Sequence, residues 1–188
     1  MVAGTERGSA LGRRVSQELR DEIVYGRDHD HARVFISSRM RTTLDAERLI
    51  TASAVDRVSG HRSWYWERDA AIGELHSEQE CVNYAKTSAG LILLVDGGLS
   101  PIVYAEYLAA RDGGANRYIL IRKDAELPED VAEFIKEQQI SEVVTRNFQN
   151  ADELDSLVYD ALSRAIVRAM TLATIDRRER LPEEASDD

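Results

Sequence analysis

Apolar and polar positions follow two rhythms along this chain. "RVFIS" (33–37) is a short β-branched and aromatic run closed by small polar residues, and "GLILLVDGG" (90–98) is an unbroken apolar run stopped by Asp96, Gly97 and Gly98. The first reads as a strand, the second as a strand buried on both faces. "RYILIRK" (117–123) and "SEVVTRNF" (141–148) read as two further strands, and "RSWYWE" (62–67) as a short one placed second in order. Between them the period lengthens to that of a helix. "RTTLDAERLITASAVDRV" (41–58) is capped by Thr42 or Thr43 and has Leu44, Leu49 and Ile50 among its apolar positions. "SEQECVNYAKTSA" (77–89) opens with Ser77 and Glu80 at capping-box spacing. "LPEDVAEFIKEQQ" (127–139) is a helix with Pro128 near its start. A long last helix from Asn150 carries Leu154, Leu157, Val158, Leu162, Ile166 and Met170 along one side.

Strand and helix in alternation, repeated to five strands, predict an α/β fold: a doubly wound parallel sheet in flavodoxin-like order, with helices on both faces. Extra helices flank it. One is N-terminal, with Leu11, Val15, Leu19 and Ile23 at helical intervals, and the other is the long C-terminal one. The expected organisation is a tail and N-terminal helix over 1–28, one nucleotide-binding-like domain over 29–176, and a disordered acidic tail over 177–188. Doubly wound folds bind ligands outside the carboxyl ends of their strands, where the strand order reverses. That rule selects Ser37, Ser38 and Arg39 after the first strand and Asp96 to Ser100 after the third.

One helix stands apart. In "LSPIVYAEYLAA" (99–110), Ser100 suits the N-cap and Pro101 the first helical position, and all that follows is apolar or small except Glu106. Its spacing from Ile102 and Ala109 puts it on their face, about two turns into the helix and beside the predicted crevice. A carboxylate in such a setting either pairs with a cation, Arg111 for instance, or is held ready for a substrate that develops positive charge. The second role suits the oxocarbenium-like centre left when a glycosidic bond breaks.

Composition narrows the partners. The 188 residues carry a formal net charge of −10, so a nucleic-acid backbone would be repelled unless a basic patch offset it. Arg13 with Arg14 and Arg177 with Arg178 lie near the ends among acids, so no nucleic-acid partner is expected. No apolar run reaches the ~20 residues of a membrane span and no signal-peptide core precedes the helix, so a cytoplasmic protein without a membrane partner is expected. The lone Cys81 excludes an internal disulfide and reads as a structural thiol. His29 and His31 in "RDHDHA" read as part of a polar link rather than a metal site.

"VFISSRM" followed by "LDAER", then "WYWE", "SEQECVNYAKTSAGLILLVDG", and "IVYAEYLAA" before "RYILIRK" resembles the nucleoside 2-deoxyribosyltransferase/TIR-like superfamily over about 33–146. Within it, the chain is most similar to uncharacterised domains fused to bacterial STAND-type ATPases in defence and signalling proteins. The resemblance implies a flavodoxin-like domain whose ligand is a nucleoside, a nucleotide or NAD, the last as substrate and with no cofactor or metal required. It implies that Glu106 is the catalytic residue acting on the N-glycosidic bond, that Ser37 and Ser38 belong to the substrate pocket, and that Asp96 contacts ribose or base. The chain departs from deoxyribosyltransferases in having only "GLSPIVYA" where they carry a second acid and a glycine-threonine stretch. It departs from TIR enzymes in lacking a tryptophan-cysteine pair before "VYAEY".

Two functions therefore stand as expectations. One is an N-glycosidase acting on NAD or a nucleoside, with Ser37, Ser38 and Arg39 orienting the ligand and Glu106 meeting the ribosyl centre. Arg39 or Arg41 could hold phosphate, one of Trp64, Tyr65 and Trp66 could stack a base with Trp66 the chosen candidate, and Glu67 is a second acid near the pocket mouth. The other is a catalytically inactive signalling module that forms a homo-oligomer, or joins a larger effector, through the C-terminal helix, whose apolar stripe exceeds what one sheet face needs.

Overall fold

A computed structural model describes residues 25–26, 30–40, 44–70, 77–141 and 143–179. Five strands form one sheet: β1 (Ala32–Ser37), β2 (His61–Trp64), β3 (Gly90–Val95), β4 (Asn116–Arg122) and β5 (Thr145–Phe148). Their order is β2-β1-β3-β4-β5 and every neighbouring pair is parallel, which is the doubly wound, flavodoxin-like arrangement. The helices among the described residues are α1 (Asp45–Arg57), the single turn α2 (Trp66–Asp69), α3 (Ser77–Thr87), α4 (Pro101–Asp112), α5 (Glu129–Ile140) and α6 (Ala151–Glu179).

Alternation along the strands builds two cores. Phe35, Leu91, Leu93, Ile119 and Ile121 face α3, α4 and α5, whereas Val34, Ile36, Ile92, Leu94 and Leu120 face α1 and α6. All six residues of β3 are buried, as its apolar run requires of the central strand. In α4, Ser100 caps by accepting the Val103 N–H at 3.5 Å, with Pro101 at the first position.

Three expectations change. "RSWYWE" is a strand only to Trp64; Asp69 Oδ2 accepts the Tyr65 N–H at 3.0 Å and closes the chain into the turn of α2, so Trp66 leaves the sheet. β5 begins at Thr145 rather than Ser141, because the Val143 N–H is drawn back to the Gln138 carbonyl at the end of α5. Leu44, whose own side chain makes no capping hydrogen bond, holds the N-cap position of α1, and Thr42 and Thr43 lie outside the described residues, as do the N-terminal helix up to residue 24 and the tail from residue 180. Among the described residues, no helix is long and apolar enough to cross a membrane.

Candidate active site

A cavity of about 330 Å³ opens at the carboxyl end of β1, where the strand order reverses. Among the described residues, its walls are the β1 end from Phe35 to Met40, Arg48 of α1, Trp66 and Glu67 of α2, Glu78 and Cys81 of α3, and Ser100, Ile102, Val103 and Glu106 from the start of α4. Ser37, Ser38, Arg39, Trp66 and Glu106, far apart in sequence, thus share one cleft.

Glu106 is a buried acid in its wall. The residue is 7% exposed, its Oε2 accepts the Ser37 hydroxyl at 2.5 Å, and Cys81 lines the same cavity. Burial raises the carboxyl pKa from 4.5 to about 7, against the lowering by the Ser37 hydroxyl and the neighbouring Cys81 thiol. The carboxyl therefore titrates around neutral pH rather than in the ordinary carboxylate range. Arg111 instead pairs with its neighbour Asp112 at 3.0 Å, so the cation-paired reading of Glu106 does not hold there. Burial first, then the Glu106 carboxylate, pushes the Cys81 thiol far above its ordinary range, which disfavours the thiolate form.

This raised carboxyl has a consequence for stability. A folded-state pKa above the unfolded one means that the folded protein binds the extra proton between pH 4.5 and about 7. Stability from this group therefore falls as pH rises through that window and stays reduced above it. Glu106→Gln, which is neutral throughout, is expected to exceed the parent in stability by about 3 kcal/mol at pH 8, with the difference vanishing toward pH 4. Urea unfolding of both proteins across that range checks it.

Sequence reasoning passed over Arg48, which organises the rim. It is 4% exposed, and its Nη1 donates to Ser38 Oγ at 2.5 Å and to the Arg39 carbonyl at 3.2 Å. Its Nη2 meets Asp45 of its own helix and Glu67 Oε1 at 2.6 Å. Arg39 lies 3.8 Å from Asp96, whose side chain is 6% exposed. Asp96 is not among the described residues that line the cavity. Trp64 is core, stacked between Phe35 and Tyr84 with ring centroids 4.8 and 4.7 Å away, and Tyr65 packs on the opposite face of the sheet. Trp66 alone of the three aromatics reaches the cavity. Arg41 and His29 lie outside the described residues, and His31 is exposed.

No family model and no curated protein matches the chain. Among solved structures, the metal-soaked flavodiiron core of Flv1 from Synechocystis sp. PCC6803 is similar with a TM-score of 0.43 at 10% identity. The similarity covers 79% of this chain and 39% of that one.

Proposed function

We propose that the protein binds a nucleotide, a nucleoside or NAD in this cleft and cleaves its N-glycosidic bond. The observation that carries the reading is the Ser37–Glu106 pair: a carboxylate starved of water, fixed by one hydroxyl, in the wall of an open cavity at the strand ends. Positive charge moves onto C1′ as the bond breaks, toward the carboxylate in the cavity wall, so the interaction strengthens in the transition state. In the proposed step the C1′–N bond breaks and its electron pair leaves with the base. The Glu106 carboxylate faces the cationic C1′, water adds there, and the proton of that water passes to the carboxylate and then to solvent. A pyridinium base departs neutral and needs no general acid. A neutral nucleoside would need an acid to protonate its departing base, and Glu67 and Glu78 are carboxyl groups of the lining. In line with the sequence resemblance, the setting we propose is bacterial signalling or defence in the cytoplasm.

Incubation with NAD and a panel of nucleosides and nucleotides, read by chromatography, tests the reading. A released base is expected, with a rate that rises through about pH 7 as Glu106 ionises. Release that does not change with pH between 5.5 and 8.5 would assign the chemistry to another group. One observation favours a second reading, a non-catalytic assembly module. Beyond Ile166, every described residue of α6 is exposed, Val167, Met170, Leu172 and Ile175 included. No base released from any substrate by folded protein moves the conclusion to that module.

A further inference from the structure

The arginine at the cavity rim carries a ligand preference. We propose that Arg48 is an anion-binding residue and that Glu67 occupies on it the position a ligand phosphate takes, so that the cleft selects phosphorylated nucleotides over nucleosides. This rests on the nucleotide reading of the same cleft and adds which ligands enter it.

A guanidinium withdrawn from water must have its donors satisfied and its charge matched. Arg48 divides that requirement between fixed and replaceable partners. Ser38 Oγ and the Arg39 carbonyl, both at the end of β1, hold Nη1 in place. Asp45, three residues earlier on α1, is a local partner that moves with Arg48. Glu67 differs from these. It comes from the single turn α2 on another wall of the cavity and reaches Nη2 at 2.6 Å. Its side chain is 40% exposed against 60% for Asp45, so its place on a separate element is what sets it apart. A carboxylate with that much access to water gives up its ion pair at small cost.

A phosphate presents a guanidinium with the same kind of oxygen acceptors at higher charge, and it fits the vacated position better than a carboxylate does. The Ser38 hydroxyl lies beside that position, and Arg39, which also lines the cavity, adds a second cation to the rim. Glu106 and the apolar Ile102 and Val103 belong to the α4 wall, leaving the sugar and base a surface apart from the arginines. A nucleoside has no group with which to displace Glu67. Glu67 is thus an internal competitor that sets a threshold of negative charge for entry.

Calorimetric titration with AMP, inorganic pyrophosphate and adenosine reads this out. The parent is expected to bind AMP more tightly than adenosine. Glu67→Gln is expected to tighten AMP and pyrophosphate roughly tenfold by removing the competing charge, with adenosine unchanged. Arg48→Lys is expected to lose roughly tenfold or more for AMP, because an ammonium cannot span the same partners. Equal affinity for AMP and adenosine, an AMP affinity that Glu67→Gln leaves unchanged, or no binding of either phosphate at millimolar concentration overturns the proposal. Glu67→Gln decides the matter even if Arg48→Lys does not fold. The two readings also fail separately. Tightened AMP binding without base release from any substrate keeps this inference and removes the glycosidase. Base release from nucleosides that neither variant alters keeps the glycosidase and removes this inference.

Discussion

Glu106→Gln is expected to lower base release by roughly a thousandfold or more, with substrate binding changed far less. Glutamine keeps the shape of the protonated acid and can still accept the Ser37 hydroxyl, so the cleft that receives the ligand is retained. What it lacks is the negative charge that meets the developing cation. That interaction strengthens as positive charge moves onto C1′, so its loss falls mainly on the chemical step rather than on affinity. Unfolding does not confound the result, since the variant is expected to be the more stable protein at pH 8. Release by the variant at the parental rate would remove Glu106 from the mechanism, and attention would pass to Glu67 and Glu78, the other acids of the cavity. Single-turnover chromatography at saturating substrate separates the two cases.

The place of Glu106 was readable because everything that sets it is local. Ser100 and Pro101 fix where α4 starts, and four residues of helix carry Ile102 and Glu106 to one side. β3 announced its central position through six uninterrupted apolar residues. The partners of Glu106 were of a different kind. Ser37 reaches it across 69 positions of chain, and Cys81 through the packing of two helices, so neither contact has a signature within a window. Arg48 was hidden by its own chemistry: an arginine in "LDAER" looks like a solvated helix face until Ser38 and Glu67 close over it. Trp66 misled through propensity. Three aromatics in a row favour a strand, but the Asp69 carboxylate, four residues beyond Tyr65, outcompetes the sheet for its N–H.

Cys81 of α3 and Glu106 of α4 line the same cavity, and the two helices come into close main-chain approach at Gly113. Gly113 follows α4, and a Cβ placed there would lie 1.9 Å from the Lys86 carbonyl oxygen and 2.9 Å from its carbon, both main-chain atoms of α3. Main chain cannot rotate away as a side chain can, so Gly113→Ala must separate the helices. The expected cost is about 3 kcal/mol, which lowers the melting temperature by roughly 6–12 °C in a chain of this size. Gly114→Ala supplies the comparison. Gly114 has φ +78° and nothing lies within 4 Å of where its Cβ would sit, so alanine there meets backbone strain alone, at about 1 kcal/mol. Thermal melts of the two variants should differ by several degrees, with Gly113→Ala the lower. Because Lys86 is five residues beyond Cys81, and Gly113 seven beyond Glu106, the same separation should draw the thiol from the carboxylate and reduce base release in whatever fraction stays folded. Equal melts for the two variants would mean that α3 yields at this point, and that the Cys81–Glu106 contact is set from the sheet rather than by the helix pair.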